Sequence, residues 1–435
     1  MSIDQILTLV VLVAVVAAMI WDKVRADVVA LSGAAVLLIS GVVRPIDVQG
    51  AFASPAIITL ASLFVIAYAL ELSGLLDRAI SLAIGMCRRL ASAGVWLMLA
   101  GIGLLSCFLN STPIVVLGAP VVRDVATALR LPPKRFLMPL SYITVLSGCC
   151  TLVGTSTNLL VDDMARVAGQ PRFGIFEITP VGLPLALAGG LYLWLVGQRL
   201  LPEAVGQAEQ PAIDTTVDLI LAGGQVGDPQ LFAEVRPFAP KKASIALATF
   251  VGTIAFAALG VAPIAATAFA GAVLLILLRV ISADQAYGGL RPEILILIAG
   301  MVVLGIAMER SGLAAEASDL LIRSVDGLSP LRALIVLYVV TLVLTELLSN
   351  ATVAVLVTPV AVALAQSLGV SPRPFLVAVM MAASAAFATP FGYQTNVIVY
   401  QMGGYRYTDF VKVGLPLNAL TAAVAIAMIT ITFPF

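Results

Sequence analysis

Apolar runs long enough to cross a membrane recur along this chain of 435 residues and constrain its fold more than any other feature. A bilayer-spanning helix needs about 17–25 predominantly apolar residues. Only 11% of the residues are charged, too few to cover the surface of a soluble fold in which 61% are hydrophobic. We therefore predict an all-α protein that crosses a membrane many times. Runs of about the required length lie at 6–21, 27–43, 54–72, 177–198, 243–260, 263–281, 293–309 and 414–433.

The first run could also be a cleaved signal peptide. Its leading residues carry Asp4 and no positive charge, no Ala-x-Ala cleavage site follows, and Lys23 and Arg25 come after the run. We interpret it as the first membrane span, with its carboxyl end at the cytoplasm.

Composition excludes several classes of site. The chain has no histidine, so histidine metal sites, histidine-based triads and imidazole proton relays are excluded. A net charge of zero gives no indication of nucleic-acid binding. The four cysteines have no C-x-x-C spacing and lie in or beside apolar runs, so we expect reduced, packed thiols.

Two further apolar segments, 136–168 and 374–403, are interrupted in the middle. The first breaks at Gly154-Thr-Ser-Thr-Asn158 and the second at Thr389-Pro-Phe-Gly-Tyr-Gln-Thr-Asn396. Unwound backbone is tolerated at membrane depth only where it lines a protein cavity. We therefore predict two broken spans whose unwound centres face a binding site.

Residues 94–130 and 330–369 are apolar on both sides of a polar tip. The tips are Asn110-Ser-Thr-Pro113 and Ser349-Asn-Ala-Thr352. Each segment is predicted to form a re-entrant hairpin, in which two helices enter and leave the membrane on one side.

The second part of the chain repeats the first. Each half contains five crossings, an odd number, so the second half must start from the opposite face. This predicts an inverted repeat, the architecture that places a site at mid-membrane between two discontinuous helices. At offsets of 232–239 residues, the corresponding pairs are Glu71-Leu-Ser-Gly-Leu75 with Glu309-Arg-Ser-Gly-Leu313, Pro120 with Pro359, Phe136 with Phe375, Thr157-Asn158 with Thr395-Asn396, and Gly182-Leu-Pro184 with Gly414-Leu-Pro416.

The predicted organisation has three parts. The first repeat, 1–198, contains spans 6–21, 27–43 and 54–72, hairpin 94–130, broken span 136–168 and span 177–198. The polar residues 199–242 form a cytoplasmic loop, and 75–90 and 312–323, which mix charged and apolar residues, lie along the membrane interface. The second repeat, 243–435, contains spans 243–260, 263–281 and 293–309, hairpin 330–369, broken span 374–403 and span 414–433.

Positive charges assign the two faces. Following the crossings from Lys23 and Arg25 puts 17 of the 24 Lys and Arg residues on one side and 7 on the other. Positive residues favour the cytoplasm, so the larger set is cytoplasmic. Both termini are then outside, the first hairpin enters from the cytoplasm, and the second enters from outside. The expected location is the inner membrane of a bacterium.

The tips and breaks present neutral oxygen and amide groups beside backbone freed from helical bonding. Such oxygens suit a dehydrated hard cation such as sodium, while helix N-termini at the same places attract an anion. The alternative is that these side chains only form hydrogen bonds between membrane helices. Because the tips and breaks contain no Asp, Glu, His, Lys or Arg, we expect coupling to sodium rather than to protons. The residues concerned are Asn110, Ser111, Thr112, Thr155, Ser156, Thr157, Asn158, Ser349, Asn350, Thr352, Thr389, Gln394, Thr395 and Asn396.

Acidic residues near these segments leave a proton relay open. Glu346 precedes the second tip by three residues, and it either acts as a functional carboxylate or neutralises a dipole within the hairpin. Glu71 and Glu309 precede Ser-Gly turns at span ends, where an interfacial position is expected. Asp162 and Asp163 follow the first break, at a solvated helix end or in a vestibule.

Three stretches together resemble the divalent anion:sodium symporter family. Leu-Leu-Ser-Asn-Ala-Thr-Val-Ala-Val-Leu-Val-Thr-Pro at 347–359 is similar to its Ser-Asn-Thr hairpin signature. Thr-Leu-Val-Gly-Thr-Ser-Thr-Asn-Leu-Leu-Val at 151–161 and Ala-Thr-Pro-Phe-Gly-Tyr-Gln-Thr-Asn at 388–396 resemble its two unwound-helix motifs. The resemblance covers the chain outside 199–242. It implies a dimer in which a hairpin-bearing transport domain moves like an elevator against a scaffold domain.

The resemblance also implies residue roles. At the first tip, Asn-Ser-Thr departs from the family's signature, and Ala351 stands where threonine is expected, which bears on the identity of the substrate. One sodium site is assigned to Ser106, Asn110, Ser111 and Gly154, and the other to Thr345, the Leu348 carbonyl, Asn350 and Ala388. The anion is assigned to Asn110, Ser111, Thr112, Thr155, Asn350, Ala351, Thr389 and Pro390.

The leading hypothesis is a sodium-coupled importer of a small divalent anion such as a dicarboxylate, citrate or sulfate, with Na⁺ as the coupling ion. One alternative is a sodium/proton or oxyanion antiporter of the same superfamily, which would need a titratable pair at mid-membrane, where only Glu346 is near. A remote alternative from another class is a membrane-embedded hydrolase, but the chain has no H-E-x-x-H motif. The expected partners are the anion, the lipid bilayer and a second copy of the chain, with no nucleic acid and no enzymatic activity.

Overall fold

A computed structural model describes residues 2–21, 24–197, 200, 238–317, 329–390 and 392–435. Within these residues all regular structure is helical, which confirms the predicted all-α fold. The first part contains α1 Ile3–Trp21, α2 Ala26–Ile39, α3 Pro45–Phe52, α4 Pro55–Leu72, α5 Leu75–Ser106, α6 Ser111–Ala128, α7 Lys134–Gly148, α8 Ser156–Val167 and α9 Thr179–Tyr192, which a π-helical turn, Leu193–Gly197, continues. The second contains α10 Pro240–Ala258, α11 Ile264–Leu277, α12 Ala283–Gly289, α13 Pro292–Ser311, α14 Pro330–Leu347, α15 Asn350–Ser367, α16 Arg373–Ser384, α17 Gln394–Gly403 and α18 Tyr407–Thr432.

Local chemistry sets many of the helix starts. Ser54 and Ser329 precede prolines at the first helical position, and each side chain accepts a backbone N–H bond at 3.4 Å. A cap side chain satisfies a donor that the helix leaves free, and proline loses no hydrogen bond there. Gly312 and Gly404 follow α13 and α17 in the left-handed conformation that ends a helix.

Seven helices within the described ranges are long and apolar enough to cross a membrane. Five coincide with predicted spans. The other two, α14 and α15, are the arms of the second predicted hairpin, which length and composition do not distinguish from spans. The predicted spans 6–21, 27–43 and 263–281 contain shorter apolar helices, Ile3–Met19, Ala26–Ile39 and Ile264–Leu277.

The structure differs from the sequence prediction around the first hairpin. Residues 75–90, expected along the interface, continue without interruption into the first hairpin arm as α5. No proline lies between Leu75 and Ser106, so every residue of this segment can donate its backbone N–H and the helix is not interrupted. Most of the predicted loop 199–242, and residues 318–323 of the second interfacial stretch, lie outside the described residues.

Each helix of the first half has a counterpart nine helices later, and the two counterparts pack against corresponding helices. Helix α2 packs against α13, and α11 packs against α4. Helices α5 and α6 pack against α7, as α14 and α15 pack against α16. Helix α8 lies against α15 and α17 lies against α6, so each half packs its broken span on the hairpin of the other half.

Three ion pairs join distant segments near the ends of spans. The distances are 2.8 Å from Lys134 Nζ to Asp409 Oδ2, 3.1 Å from Arg310 Nε to Asp47 Oδ2, and 3.2 Å from Arg373 Nη2 to Glu177 Oε1. Each pair connects segments to which the charge count assigns the same face.

Helices α7 and α16 form the centre of the molecule. Both are buried along nearly their whole length, and Phe136 and Phe375 at their starts are fully buried. The backbone unwinds immediately after both helices, so the breaks lie deep inside the protein.

Candidate ion and anion site

The hairpin tips are short, and capping side chains start the helices that follow them. The first tip comprises residues 107–110, and Asn110 Oδ1 accepts a bond from Thr112 N at 3.1 Å. The second comprises residues 348–349, and Ser349 Oγ accepts from Thr352 N at 3.2 Å. The predicted tips were too long at their carboxyl ends. Five of the residues assigned to them belong instead to the first turns of α6 and α15: Ser111, Thr112, Asn350, Ala351 and Thr352. The positive ends of α6 and α15 therefore lie at the tips.

The breaks begin earlier than predicted. The first covers residues 149–155, and the second covers the described residues 385–390 and 392–393. Ser156, Thr157 and Asn158 open α8, and Gln394, Thr395 and Asn396 open α17. Gly182 packs on the Cys149 backbone and Gly414 packs on the Phe387 backbone, so each break lies against a glycine of a helix that is distant in sequence.

A first oxygen cluster joins the first hairpin to α7. The hydroxyls of Ser106 and Ser111 lie 3.0 Å apart, and they donate to the Thr144 carbonyl at 2.8 and 3.1 Å, respectively. All three residues are buried. Two residues predicted to bind sodium are thus in direct contact.

Gly154 adds backbone carbonyls to this cluster. A Cβ at Gly154 would lie 2.5 Å from Gly148 O and 2.6 Å from Cys107 O. A Cβ at Gly148 would lie 3.2 Å from Gly154 O and 3.3 Å from Ser111 Oγ. Only glycine allows this approach, which gathers carbonyl and hydroxyl oxygens into a small cradle. Carbonyl and hydroxyl oxygens are the ligands that a hard cation prefers.

A second oxygen cluster occupies the corresponding place in the other half. Thr345 Oγ1 lies 2.9 Å from Asn350 Oδ1 and donates to the Ala383 carbonyl at 2.7 Å. These three residues lie 239 positions after Ser106, Ser111 and Thr144. Asn350 Nδ2 is buried and has no hydrogen-bond partner among the described residues, so an amide donor is free beside the second tip.

Asparagines hold both breaks in the same way. Asn158 Nδ2 donates to the Thr151 carbonyl at 3.0 Å, and Asn396 Nδ2 donates to the Thr389 carbonyl at 3.2 Å. Thr151 and Thr389 in turn accept from Gly154 N and Gly392 N, at 3.2 and 3.1 Å. In this structure the Asn158 and Asn396 amides shape the breaks.

Contacts between the halves bring the first tip to the second break. Thr112 Oγ1 donates to Gln394 Oε1 at 3.3 Å. The Ser141 hydroxyl of α7 lies 2.7 Å from both Thr395 Oγ1 and Asn396 Oδ1. Leu348, Ala351, Thr352 and Pro390 lie beside the second tip and break, and their predicted ligand roles stay predictions, as does that of Thr155.

Glu346 places a carboxylate on the second break. Its oxygens accept bonds from Ala388 N at 2.8 Å, Thr389 N at 2.9 Å, Thr389 Oγ1 at 2.8 Å and Asn418 Nδ2 at 2.7 Å. The tips and breaks themselves carry no acid, but Glu346 reaches the second break from α14, so both roles considered for this carboxylate stay open.

Sequence reasoning missed three kinds of contributor. The Thr144 and Ala383 carbonyls are backbone atoms, so no residue type identifies them. Thr151 could have been found, since Thr389 matches it at an offset of 238. Asn418 also left a signal, as an amide within the apolar run 414–433.

A cavity of about 410 Å³ lies apart from the oxygen clusters. It is bordered by α3, α8 and α13, and its lining includes Asp47, Asp163, Arg166, Glu309 and Arg310. Asp163 lies eight residues beyond Thr155, ~12 Å along a helix at ~1.5 Å per residue. The cavity is therefore distinct from the tips and breaks.

Known proteins resemble this chain over most of its length or over about a third of it. An uncharacterized transporter of Synechocystis, sll0640, is 26% identical and is matched over 95% of both chains. That alignment runs over 585 positions, so the relative carries segments that this chain lacks. A probable sodium/sulfate cotransporter of Chlamydomonas reinhardtii is 34% identical over 35% of this chain and 18% of its own length. The sodium-dependent dicarboxylate transporter SdcS of Staphylococcus saprophyticus is 30% identical over 32% and 27%.

Two solved transporters share the fold. The Neisseria gonorrhoeae MtrF antimetabolite efflux pump superposes with a TM-score of 0.58 at 12% identity, covering 99% of this chain and 95% of that one. The Alcanivorax borkumensis YdaH transporter gives 0.55 at 16% identity, covering 88% and 86%.

The family model for citrate transporters matches residues 16–370 and 327–435, which together span nearly the whole chain. This match, the apolar helices and the shared transporter fold agree with one another. The chain belongs to the citrate transporter family, and it is an integral membrane transporter related to sodium/sulfate and sodium-dependent dicarboxylate transporters.

Proposed function

We propose that the protein is a sodium-coupled symporter of a small divalent anion. The observation that carries the proposal is the pair of buried oxygen clusters at equivalent positions in the two halves, Ser106–Ser111–Thr144 and Thr345–Asn350–Ala383. Each cluster lies where a hairpin tip meets a broken helix, and neither contains a basic side chain. Hydroxyl, amide and carbonyl oxygens in such a place are ligands for sodium.

Sodium is a transported substrate in this proposal. The first site would use Ser106, Ser111 and the carbonyls gathered around Gly154. The second would use Thr345, Asn350 and Ala388, together with the Ala383 carbonyl. The hydrogens that now join these oxygens would turn away when a cation takes their place, since hydroxyl groups rotate freely.

The anion would bind between the tips. The N-termini of α6 and α15 supply partial positive charge, and Thr112 and the free Asn350 amide supply donors. No lysine or arginine occurs in the tips or breaks, so a doubly negative solute at mid-membrane needs bound cations as its counter-charge. Relatives of this chain are named for sulfate and for dicarboxylates, both of which carry two charges.

An inverted repeat and an elevator movement complete the proposal. The corresponding packing partners of the two halves and the ion pairs between segments assigned to one face support the repeat. Helices α5–α8 and α14–α17 pack mainly with one another, while α1–α4 pack with α10–α13. Two such bodies are what a transport domain and a scaffold require. We further propose a homodimer in a bacterial inner membrane, with both termini outside.

Uptake into proteoliposomes tests the proposal. An inward sodium gradient should drive accumulation of labelled sulfate, succinate or citrate, and an inward proton gradient in sodium-free vesicles should not. Asn110→Ala and Asn350→Ala should each abolish uptake. Thr341→Ala is the matched control, because its hydroxyl donates only within its own helix, to Leu337 O at 2.6 Å. Normal uptake by both tip variants would contradict the proposal and would mean that the polar side chains at the tips only form hydrogen bonds between helices.

A proton-coupled antiporter is the second candidate, and Glu346 is the observation that favours it. Its carboxylate lies on the second break, at the depth where a proton carrier would be needed. All four of its partners are donors, however, which suits a carboxylate that stays ionised. Uptake driven by an outward proton gradient in sodium-free vesicles, and lost in Glu346→Gln, would favour the antiporter.

A further inference from the structure

Position 346 is where the two halves of the site differ in charge. At an offset of 239 residues, Glu346 corresponds to Cys107. The backbone at both positions makes a similar contact: the Thr151 hydroxyl donates to the Cys107 carbonyl, and Thr389 Oγ1, which donates to the Glu346 carboxylate, lies 3.2 Å from the Glu346 carbonyl oxygen. The second half thus carries a carboxylate where the first half carries a thiol.

The Glu346 carboxylate is satisfied as an anion. One oxygen accepts from Ala388 N and Asn418 Nδ2, and the other accepts from the N–H and the hydroxyl of Thr389. An ionised carboxylate only accepts, so four donors match that form. Within the described part of the chain, no lysine or arginine forms an ion pair with Glu346.

This charge lies beside the second oxygen cluster. Thr345, the preceding residue, contributes its hydroxyl to the cluster, and Ala388 contributes its N–H to the carboxylate. Ala388 is also assigned to the second sodium site, so a cation there and the Glu346 carboxylate would share a neighbouring residue. Opposite charges that lie close together attract more strongly inside a protein than in water. At the first cluster, the corresponding Cys107 side chain offers a thiol.

We propose that the two cation sites are unequal. The second site, which has the Glu346 carboxylate beside it as a counter-charge, binds sodium before the anion arrives. The first site has only neutral ligands and binds sodium together with the anion, whose charge makes the desolvated cation acceptable there. The inference rests on the proposed sodium-coupled function and assigns Glu346 as the residue that sets sodium affinity in the second half.

Sodium titrations without any anion substrate test this asymmetry. The purified protein in detergent is titrated with sodium chloride against choline chloride at constant ionic strength, and binding is followed by ²²Na⁺ and by thermal stabilisation. Thr345→Ala should weaken sodium binding at least ~10-fold, and Thr345→Ser, which keeps the hydroxyl, should restore it. Ser106→Ala, the equivalent change in the first half, should leave the sodium concentration that gives half-maximal binding (the sodium midpoint) within about twofold of the wild-type value.

Glu346→Gln keeps the length of the side chain and removes the charge, so it should raise the sodium midpoint ~10-fold or more, whereas Cys107→Ser should leave it unchanged. A purely structural role for Glu346 would lower the melting temperature in choline without moving the sodium midpoint. If Glu346→Gln does not fold, the Ser106 and Thr345 variants decide the question.

Equal losses in Ser106→Ala and Thr345→Ala, or an unchanged midpoint in Glu346→Gln, would overturn the inference. Sodium-driven uptake combined with equal sites would refute the asymmetry alone. A protein that binds no sodium and shows no sodium-driven uptake would refute the proposed function as well.

Discussion

Replacing Gly154 by alanine adds a methyl group where the first tip meets the first break. Its Cβ would lie 2.5 Å from Gly148 O, 2.6 Å from Cys107 O and 3.0 Å from Gly148 Cα. All three are backbone atoms, so no side-chain rotation relieves the overlap. Since Cβ atoms essentially never come within 3.0 Å of a neighbour, the break must shift by about 0.5 Å, the difference between 3.0 and 2.5 Å.

Overpacking of this kind costs ~1–3 kcal/mol. The atoms that must move are the carbonyls proposed to bind sodium at the first site, so part of the cost falls on the bound state. We expect Gly154→Ala to lower sodium-driven uptake at subsaturating sodium ~5- to 150-fold, the factor that ~1–3 kcal/mol represents. Thermal unfolding in detergent would report how much of the cost falls on the fold itself.

Gly101→Ala is the matched control, because no atom lies within 4 Å of a Cβ at that position in α5. Alanine favours a helix over glycine by ~1 kcal/mol, so this variant should be as stable as the wild type or more stable, with normal uptake. Wild-type sodium dependence in Gly154→Ala would refute the proposed cradle of carbonyls.

Further predictions concern packing, charge and topology. Tyr142→Phe removes the hydroxyl that donates to the Phe387 carbonyl at 2.6 Å. Because the carbonyl then has lost this donor, the variant should lower the free energy of unfolding by ~1–3 kcal/mol, whereas Tyr287→Phe, at an exposed position, should leave it almost unchanged; thermal unfolding measures both. Lys134→Ala leaves the buried Asp409 carboxylate without its ion-pair partner at 2.8 Å, so it should lower the free energy of unfolding by ~3–5 kcal/mol. Arg123→Ala, which breaks an exposed pair, should lower it by ~1 kcal/mol or less, and equal losses in the two variants would contradict this prediction. In a cysteine-free background, single cysteines at Gly50 and Phe435 should react only with an external membrane-impermeant thiol reagent and one at Ile220 only from the cytoplasm, and cytoplasmic reactivity at position 435 would contradict the inverted topology.

The sequence was most informative where signals are local. Apolar length located five of the spans that the structure contains, and polar interruptions located the tips and breaks to within a few residues. The family resemblance, rather than spacing alone, paired Ser106 with Ser111 and Thr345 with Asn350, and the members of each pair are in contact in the structure. Their roles as sodium ligands stay predictions.

Features that depend on contacts between distant segments could not be predicted. The breaks start at Cys149 and Ala385, and glycines of α9 and α18 pack on the unwound backbone at Cys149 and Phe387, contacts between segments that are distant in sequence. The Thr144 and Ala383 carbonyls join the clusters through tertiary packing and leave no trace in residue type. The partners of Glu346 lie 42 to 72 residues away, so its sequence position indicated the hairpin but not the break that it holds.

Sodium uptake driven by an anion gradient tests the central proposal most directly. Proteoliposomes are loaded with equal sodium inside and outside, with ²²Na⁺ as tracer and the membrane potential clamped by potassium and valinomycin. An inward gradient of the transported anion should then drive net ²²Na⁺ accumulation in the wild type, and none in Asn350→Ala. An anion gradient that moves labelled anion but no sodium would contradict sodium-coupled symport.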